Sequence, residues 1–365
     1  MASLAERTVR RAAYGAAATA KVGWYGLHYA AGRRVVGPMT SPGEVPRPLE
    51  TEGADLAEMQ RLFRELFERE ARDVADGVYA MPKGMMRLPN PLKLARDSRA
   101  YMREARAVAR RAHAKGGGTE VRARADRHLK GVPGYYHQNF HFQTDGWLSE
   151  GSAAVYDTQV ETLFTGSADA MRRRALPPLR AEVDRLTGEG RDPEGIVFAD
   201  VGCGTGRLLG EVAANHPRIA KHAIDLSPPY LNAARRNAGT ERVAYTLAPA
   251  ERLPFADGSV DVLATVYLFH ELPPKVRRDV ATEFARVLRP SGLYLHTDSI
   301  QYGDTGLDVL LESFPRVFHE PYYDSYARED LDALFGEVGL VPEGEEVAFL
   351  TKVTAMRKPG RVAHG

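Results

Sequence analysis

The sequence predicts an α/β protein with a doubly wound, mainly parallel seven-stranded sheet and a helical N-terminal region. Two observations support this fold class. From residue 196 onward, short apolar runs alternate with amphipathic segments, as strand–helix units do. A glycine-rich loop follows the first apolar run, and an acidic residue ends the second. Repeated units of this kind form parallel sheets, and ligands bind beyond the carboxyl ends of the strands.

Length and composition indicate a globular chain with a sizeable core. The 365 residues are 44% hydrophobic and 27% charged, and a single cysteine, Cys203, excludes a disulfide framework within the chain. No run of 18 apolar residues occurs, and the alanine-rich stretch 12–20 is too weakly apolar for a signal peptide. We therefore expect a cytoplasmic protein.

Charge is distributed unevenly along the chain. Residues 1–130 carry 25 Lys and Arg against 15 Asp and Glu, a net charge of +10; the whole chain carries +1, so the remainder carries −9. A basic segment that also holds Trp24, Tyr25 and Tyr29 is typical of a helix lying on an anionic membrane surface. The alternative is a set of solvated helix faces, and the charge pattern leaves both open.

The N-terminal region, residues 1–130, is predicted to be helical. Linkers rich in proline and glycine separate its expected helices, 3–35, 55–74 and 92–113. The middle helix is the clearest, because apolar residues recur there at i, i+3 and i+4 spacing.

An aromatic segment and two helices, residues 131–180, connect this region to the sheet. The helices are expected at 152–163 and 168–186. The aromatic residues run irregularly from Tyr135 to Trp147 and are interpreted as a lid over a bound ligand. The alternative is a small core between the N-terminal region and the sheet.

The ligand-binding domain is expected to span residues 181–358, with a tail at 359–365. Its predicted strands are 196–199, 220–224, 243–247, 260–266, 292–297, 341–348 and 350–356. Its predicted helices are 207–215, 229–237, 275–287 and 328–338.

The loop after the first strand carries three alternate glycines and a preceding acid, namely Asp200, Gly202, Gly204 and Gly206. Glycines let a backbone turn sharply and approach a ligand, and the helix that follows presents free N–H groups. Dinucleotide sites use G-x-G-x-x-G to seat a pyrophosphate, whereas the spacing here is G-x-G-x-G. The spacing and the acid favour a ligand with an amino-acid end. For the loop alone, an ordinary tight turn is the alternative.

A second acidic residue, Asp225, ends the second strand, 19 residues after Gly206. An acid at this position can accept hydrogen bonds from both hydroxyls of a ribose. Its alternative role is to cap the following helix. Together, the glycine loop and this acid are more specific than either feature alone.

Four segments resemble the class I S-adenosylmethionine-dependent methyltransferases, above all the small-molecule group that includes ubiquinone and menaquinone biosynthesis enzymes. They are VFADVGCGTGRLL (197–209), AIDLSPPYLNAARRN (223–237), AERLPFADGSVDVLATVYLFHELP (250–273) and FARVLRPSGLYLHTD (284–298). The resemblance implies a Rossmann-like methyltransferase fold, S-adenosylmethionine as cofactor, and an enzyme that methylates a small, lipophilic molecule. It covers about half of the chain and does not reach residues 1–130.

The resemblance also implies which residues form the cofactor site. Those around the methionine part and the ribose are Asp200, Gly202, Gly204, Gly206 and Asp225. Those around the adenine are Leu226, Ala250 and Glu251, and the methyl-transfer site is lined by Tyr267. One position departs from the family pattern, because many relatives carry an acid where this chain has Pro249. Proline offers no side-chain donor or acceptor, so either Glu251 replaces the acid or backbone groups contact the adenine.

Two further groups are candidates for catalysis and for acceptor binding. His270 and Glu271 follow the fourth strand, where a histidine can deprotonate a hydroxyl because its ordinary pKa lies near neutrality. The alternative is a packing or capping pair. His141, Trp147 and Tyr156 are predicted to face the acceptor, and each has an ordinary core role as its alternative.

Methyl transfer from a sulfonium needs aligned reactants and excluded water, so no metal is predicted. His137 and His141 lie four residues apart, but their segment has no helical period, and a metal pair is only a weak alternative.

Three other functions compete with small-molecule methylation. A dinucleotide-dependent oxidoreductase is opposed by the glycine spacing, and a silent scaffold by the intact loop. A nucleic-acid methyltransferase would use the basic N-terminal region. However, no Asn-Pro-Pro-Tyr-like motif follows the fourth strand, and no RNA-binding module is recognisable. We therefore expect a small-molecule substrate, no nucleic acid, and at most peripheral contact with an anionic membrane.

Overall fold

The computed structural model describes residues 3–36, 55–82, 85, 91–112, 114, 120–121, 132–239 and 242–360. Parts of the predicted linkers and most of the predicted tail at 359–365 lie outside these ranges. The sheet and the helices around it lie inside them.

The described residues form a single seven-stranded sheet in the order β3-β2-β1-β4-β5-β7-β6. The strands are β1 (Val197–Val201), β2 (Ala220–Asp225), β3 (Val243–Leu247), β4 (Val260–Val266), β5 (Leu288–Ser299), β6 (Val341–Ala348) and β7 (Thr351–Arg357). The first five pair in parallel, and β7 runs antiparallel between β5 and β6. This confirms the predicted fold class. The chain order reverses at β1, so a crevice opens between the carboxyl ends of β1 and β4.

Twelve α-helices lie within the described ranges. They are α1 (Leu4–Val36), α2 (Leu56–Asp76), α3 (Pro91–Ala112), α4 (Glu150–Leu163), α5 (Ala168–Arg173), α6 (Leu176–Gly188), α7 (Arg207–Asn215), α8 (Pro228–Ala238), α9 (Pro274–Val287), α10 (Asp308–Val317), α11 (Tyr323–Ala327) and α12 (Leu331–Gly336). None of them combines the length and apolar character that a bilayer crossing requires.

Two helical predictions differ from the structure. The helix expected at 168–186 is two helices, because prolines at the start of α6 supply a new first turn. The helix expected from 328 begins at Leu331, where the Asp330 side chain caps it by accepting a hydrogen bond from Ala333 N at 2.9 Å. Helix α10, which contains Pro315, was not predicted.

The core lies on both faces of the sheet, as the alternation along β1 shows. Phe198 belongs to one hydrophobic cluster, whereas Ala199 and Val201 belong to the other. The first cluster also contains Tyr14 of α1 and Val74 of α2. The N-terminal helices therefore share a core with the sheet.

A buried charge network strengthens this connection. Glu70 of α2 accepts hydrogen bonds from Tyr14 at 3.1 Å and from Arg173 of α5 at 2.6 Å, and it also bonds Tyr79. Glu70 is fully buried, so its partners replace the water that it loses on folding. The network joins α1, α2 and α5 behind the crevice.

Candidate active site

The glycine loop between β1 and α7 has the sharply turned backbone that its glycines permit. Gly202, Gly204 and Gly206 have φ angles of 70°, 55° and 76°, in the left-handed region that side chains disfavour. A Cβ on Gly206 would lie 2.9 Å from the Cα of Ala234, which leaves no room for another residue. Glycine at this position lets helix α8 approach the loop.

Asp225, at the end of β2, joins the loop to the following helix. Its Oδ2 accepts a hydrogen bond from Gly204 N, and its Oδ1 accepts one from Ser227 N, both at 2.8 Å. Burial raises the pKa of Asp225 to about 6, although the backbone donors act in the opposite direction. The carboxylate thus lies at the crevice with a weakened preference for its charged form.

Two other predicted acids lie beside this position. Asp200 is buried at the end of β1, and its Oδ2 has no hydrogen-bond partner in the described structure. Burial and the neighbouring Asp225 carboxylate raise the pKa of Asp200 to about 7. Glu251 accepts a hydrogen bond from Tyr135 at 2.8 Å, while its Oε2 lacks a partner within the same ranges. Both acids therefore hold buried acceptor atoms that a ligand can use.

A cavity of about 100 Å³ lies at the carboxyl ends of β1, β2 and β4. Most predicted cofactor residues line it, namely Gly202, Gly204, Asp225, Leu226, Ala250 and Tyr267. Pro249 also lines it, and Asp200, Gly206 and Glu251 lie outside its lining. We call this space the cofactor cavity.

A larger cavity of about 320 Å³ adjoins it and shares Tyr156, Tyr267 and Glu271 with its lining. Helices α1, α3, α4 and α10 form its walls, and most of their side chains there are apolar. Its polar end holds His141 and His270. We call this space the apolar cavity.

His270 forms a dyad with a buried acid that the sequence did not single out. Its Nδ1 lies 2.5 Å from Oδ1 of Asp298, and its Nε2 lies 3.4 Å from Oε1 of Glu271. Burial lowers the pKa of His270, but these two carboxylates outweigh it and raise that pKa well above its ordinary value. Asp298 is fixed by the backbone N–H groups of Phe269 and Ser299. The dyad is therefore rigidly oriented.

His141 faces two acids on other segments. Its Nδ1 lies 2.8 Å from Oε1 of Glu320, and its Nε2 lies 3.5 Å from Oε1 of Glu271. Burial lowers the pKa of His141, but the two acids outweigh it and raise that pKa to about 10. A backbone hydrogen bond holds the short turn that carries His141 beside the segment of Glu320, because the His141 N–H donates to His319 O at 3.2 Å.

Comparison with known proteins agrees with this geometry. Residues 198–292 match a family model described as a methyltransferase domain. A fatty-acid O-methyltransferase from Mycolicibacterium smegmatis is 35% identical over 30% of this chain and 39% of its own length. A malonyl-[acyl-carrier protein] O-methyltransferase from Xylella fastidiosa is 33% identical over 47% and 58%. Methyltransferase GfsG from Streptomyces halstedii is 37% identical over 38% and 53%. The chain spans about half the length of these relatives.

Residues 198–292 form a methyltransferase domain.

The residues of the methyltransferase domain fit its cofactor, S-adenosylmethionine. The glycine loop leaves the backbone open to a ligand, and Asp225 presents a carboxylate at the cavity wall. The unpartnered Oδ2 of Asp200 lies buried close by and can receive an amino-acid end.

The three residues that the sequence predicts to face the acceptor do not all line the same cavity. His141 lines the apolar cavity, Tyr156 lines both cavities, and Trp147 lines only the cofactor cavity. Trp147 stacks on Phe140, with ring centroids 4.2 Å apart. His270 and Glu271 meet His141 at the polar end of the apolar cavity, where Glu271 contacts both imidazoles.

Several residues of the site were not predicted from the sequence. Asp298 ends the motif segment 284–298, and its position at the end of β5 was a usable signal because neighbouring parallel strands end at one edge. Glu320 follows an unpredicted helix and had no signal. Tyr135 and Tyr230 line the cofactor cavity as well.

Proposed function

We propose that this protein transfers a methyl group from S-adenosylmethionine to an oxygen of a small, lipophilic molecule. The observation that carries the proposal is the apolar cavity, which adjoins the cofactor cavity and shares three lining residues with it. Ligand cavities of this kind bury apolar surface and use a few polar groups to orient the reacting end. The polar end here lies beside the shared residues, where donor and acceptor would meet.

The relatives support an oxygen acceptor, and one of them supports a lipophilic one. Two of the three above are named O-methyltransferases, one acting on a fatty acid and one on a malonyl group. The motif resemblance to ubiquinone and menaquinone enzymes also favours a lipophilic acceptor. An apolar chain with an oxygen at one end fits both indications.

Each group at the polar end has a proposed part in the reaction. The bound cofactor supplies an electrophilic methyl group. Tyr156 and Tyr267, which line both cavities, exclude water and orient the acceptor. His270, oriented by Asp298, accepts the proton of a hydroxyl acceptor only in its neutral form. Because the two carboxylates raise the pKa of His270, this form becomes more populated as pH rises.

A substrate panel tests the proposal. Purified protein and labelled S-adenosylmethionine would be incubated with apolar carboxylic acids and alcohols of graded chain length. Mass spectrometry would then detect products heavier by one methylene. We expect apolar acceptors to react and short polar analogues to react poorly. Cofactor binding without methylation of any apolar acceptor would overturn the proposed substrate class.

A cavity-filling variant tests the location of the acceptor. Leu163 of α4 lines the apolar cavity but not the cofactor cavity. Leu163→Trp should therefore raise the KM for the acceptor about tenfold or more while leaving S-adenosylhomocysteine affinity unchanged. Leu247→Trp is the matched control, because Leu247 is exposed on β3. Equal kinetics in the two variants would show that the acceptor binds elsewhere.

A further inference from the structure

Three ligand-bearing side chains converge at the polar end of the apolar cavity. His141 comes from the aromatic segment, Glu271 from the turn after β4, and Glu320 from the segment after α10. One candidate ligand atom from each lies within 4.8 Å of the other two. Atoms that share a metal ion at about 2.0–2.2 Å lie about 3–4 Å apart, so shifts below about 1 Å bring the three into range.

The acids of this cluster hold buried oxygen atoms without hydrogen bonds. Glu320 is 4% exposed and Glu271 is 6% exposed. Within the described ranges, three of their oxygen atoms form no hydrogen bond: Oε2 of Glu271 and both oxygens of Glu320. Glu320 contacts His141 as an ion pair, but that contact lacks hydrogen-bond geometry. A buried carboxylate without partners is unfavourable unless a cation or donor compensates it.

The charge at this place is also unbalanced. Three buried carboxylates, Glu271, Glu320 and Asp298, are paired only with the imidazoles of His141 and His270. Across the residues that the structure describes, no Lys or Arg forms an ion pair with any of the three.

We propose that His141, Glu271 and Glu320 bind a divalent metal ion at the polar end of the apolar cavity. One imidazole nitrogen and two carboxylate oxygens form a mixed set that suits Mn²⁺ or Zn²⁺. Because His141 and Glu271 line the cavity, an ion held by them would be accessible from it. This assignment revises the expectation from sequence that no metal is used.

The metal site deepens the proposed function. If the acceptor is bound in the apolar cavity, its oxygen can occupy an open coordination position, and the ion then fixes that oxygen beside Tyr156 and Tyr267. This role rests on the proposed function, whereas metal binding itself does not.

Direct metal titration tests the site. The full-length protein would be dialysed against EDTA and then titrated with Mn²⁺, with binding followed by calorimetry and by the electron paramagnetic resonance of free Mn²⁺. We expect one ion per chain with micromolar affinity, and competition by Zn²⁺. Glu320→Gln should weaken binding about tenfold or more, because a charged ligand is replaced by a neutral amide of the same shape.

Glu104→Gln is the matched control. Glu104 is a partly buried acid on α3 whose oxygens accept hydrogen bonds from Thr144, and it lies outside the cluster. Melting curves would verify that both variants are folded. Absence of Mn²⁺ and Zn²⁺ binding at about 1 mM would overturn the proposal, as would equal binding by wild type and Glu320→Gln.

The two proposals fail in different ways. Metal binding without methylation of apolar acceptors contradicts the proposed function and retains the metal site. Methylation that is unaffected by EDTA, in a protein that binds no metal, retains the function and removes the site.

Discussion

Gly204 and Asp225 are joined by a hydrogen bond of 2.8 Å, from the glycine N–H to Oδ2 of the carboxylate. The bond connects the loop after β1 to the end of β2, the two elements that border the cofactor cavity. One side chain therefore shapes the glycine loop and presents an acceptor to the cavity. Substitutions of Asp225 test both roles together.

Asp225→Ala should weaken the binding of S-adenosylhomocysteine about tenfold or more, because two ribose hydroxyls lose a charged acceptor and the loop loses its anchor. Calorimetry measures the change. Asp192→Ala is the control, since Asp192 also caps a short turn but lies on the exposed surface. Equal affinity of wild type and Asp225→Ala would refute the ribose assignment.

Cofactor affinity should fall as pH falls through about 6. The pKa of Asp225 is raised to about 6 by burial, so its carboxylate becomes protonated at a higher pH than an exposed aspartate. Ribose hydroxyls bind the ionised form better, so affinity rises with pH and levels off above that pKa. Asp225→Asn should remove the step near pH 6. A step that persists in this variant would point to Asp200, whose pKa is about 7.

His270→Ala should lower kcat for a hydroxyl acceptor by about 10² or more at alkaline pH, where neutral His270 beside Asp298 can accept the proton despite its raised pKa. Affinity for S-adenosylhomocysteine should stay nearly unchanged, since His270 lies outside the cofactor cavity lining. His319→Ala is the control, because its ring bonds Gln138 rather than the dyad. Full turnover of His270→Ala would remove this residue from the mechanism and favour a carboxylate acceptor.

Glu70→Ala should lower the free energy of unfolding by about 3–5 kcal/mol, because it leaves the buried Arg173 guanidinium without its main partner. Denaturant unfolding followed by circular dichroism measures the loss. Glu65→Ala is the control on the same helix: its partly exposed pair with Arg61 is worth about 0–1 kcal/mol. Similar losses in the two variants would contradict a structural role for the Glu70 network.

Helix α1 should bring the protein to anionic vesicles in low salt. Its exposed apolar residues include Leu4, Val9, Leu27 and Tyr29. Basic and apolar groups together favour a membrane surface, and Leu27→Glu should therefore reduce co-sedimentation several-fold. Leu247→Glu, on an exposed strand position, is the control. Deleting residues 1–36 would be a poor test, because it removes the buried Tyr14. Wild type that stays in the supernatant would refute membrane contact.

Much of the fold could be predicted because its signals are local. The apolar repeat from Leu56 predicted α2, and Leu62 and Leu66 are buried as that spacing requires. The glycine loop and Asp225 were predicted to lie together, because the carboxyl ends of adjacent parallel strands meet at one edge. For these features, sequence spacing and backbone geometry are sufficient.

The polar end of the apolar cavity was decided by tertiary structure. His141, Glu271, Asp298 and Glu320 come from four segments, and the shortest separation between Asp298 and another member is 22 residues. Helix α10, which precedes Glu320, contains a proline and gave no helical signal. Hydrogen-bond and hydrophobic periodicities specify elements along the chain, whereas the meeting of these four side chains depends on how those elements pack. The sequence by itself therefore determined the glycine loop and the position of Asp225 beside it. The packing of the sheet with the helices and loops around it decided which side chains meet at the polar end of the apolar cavity.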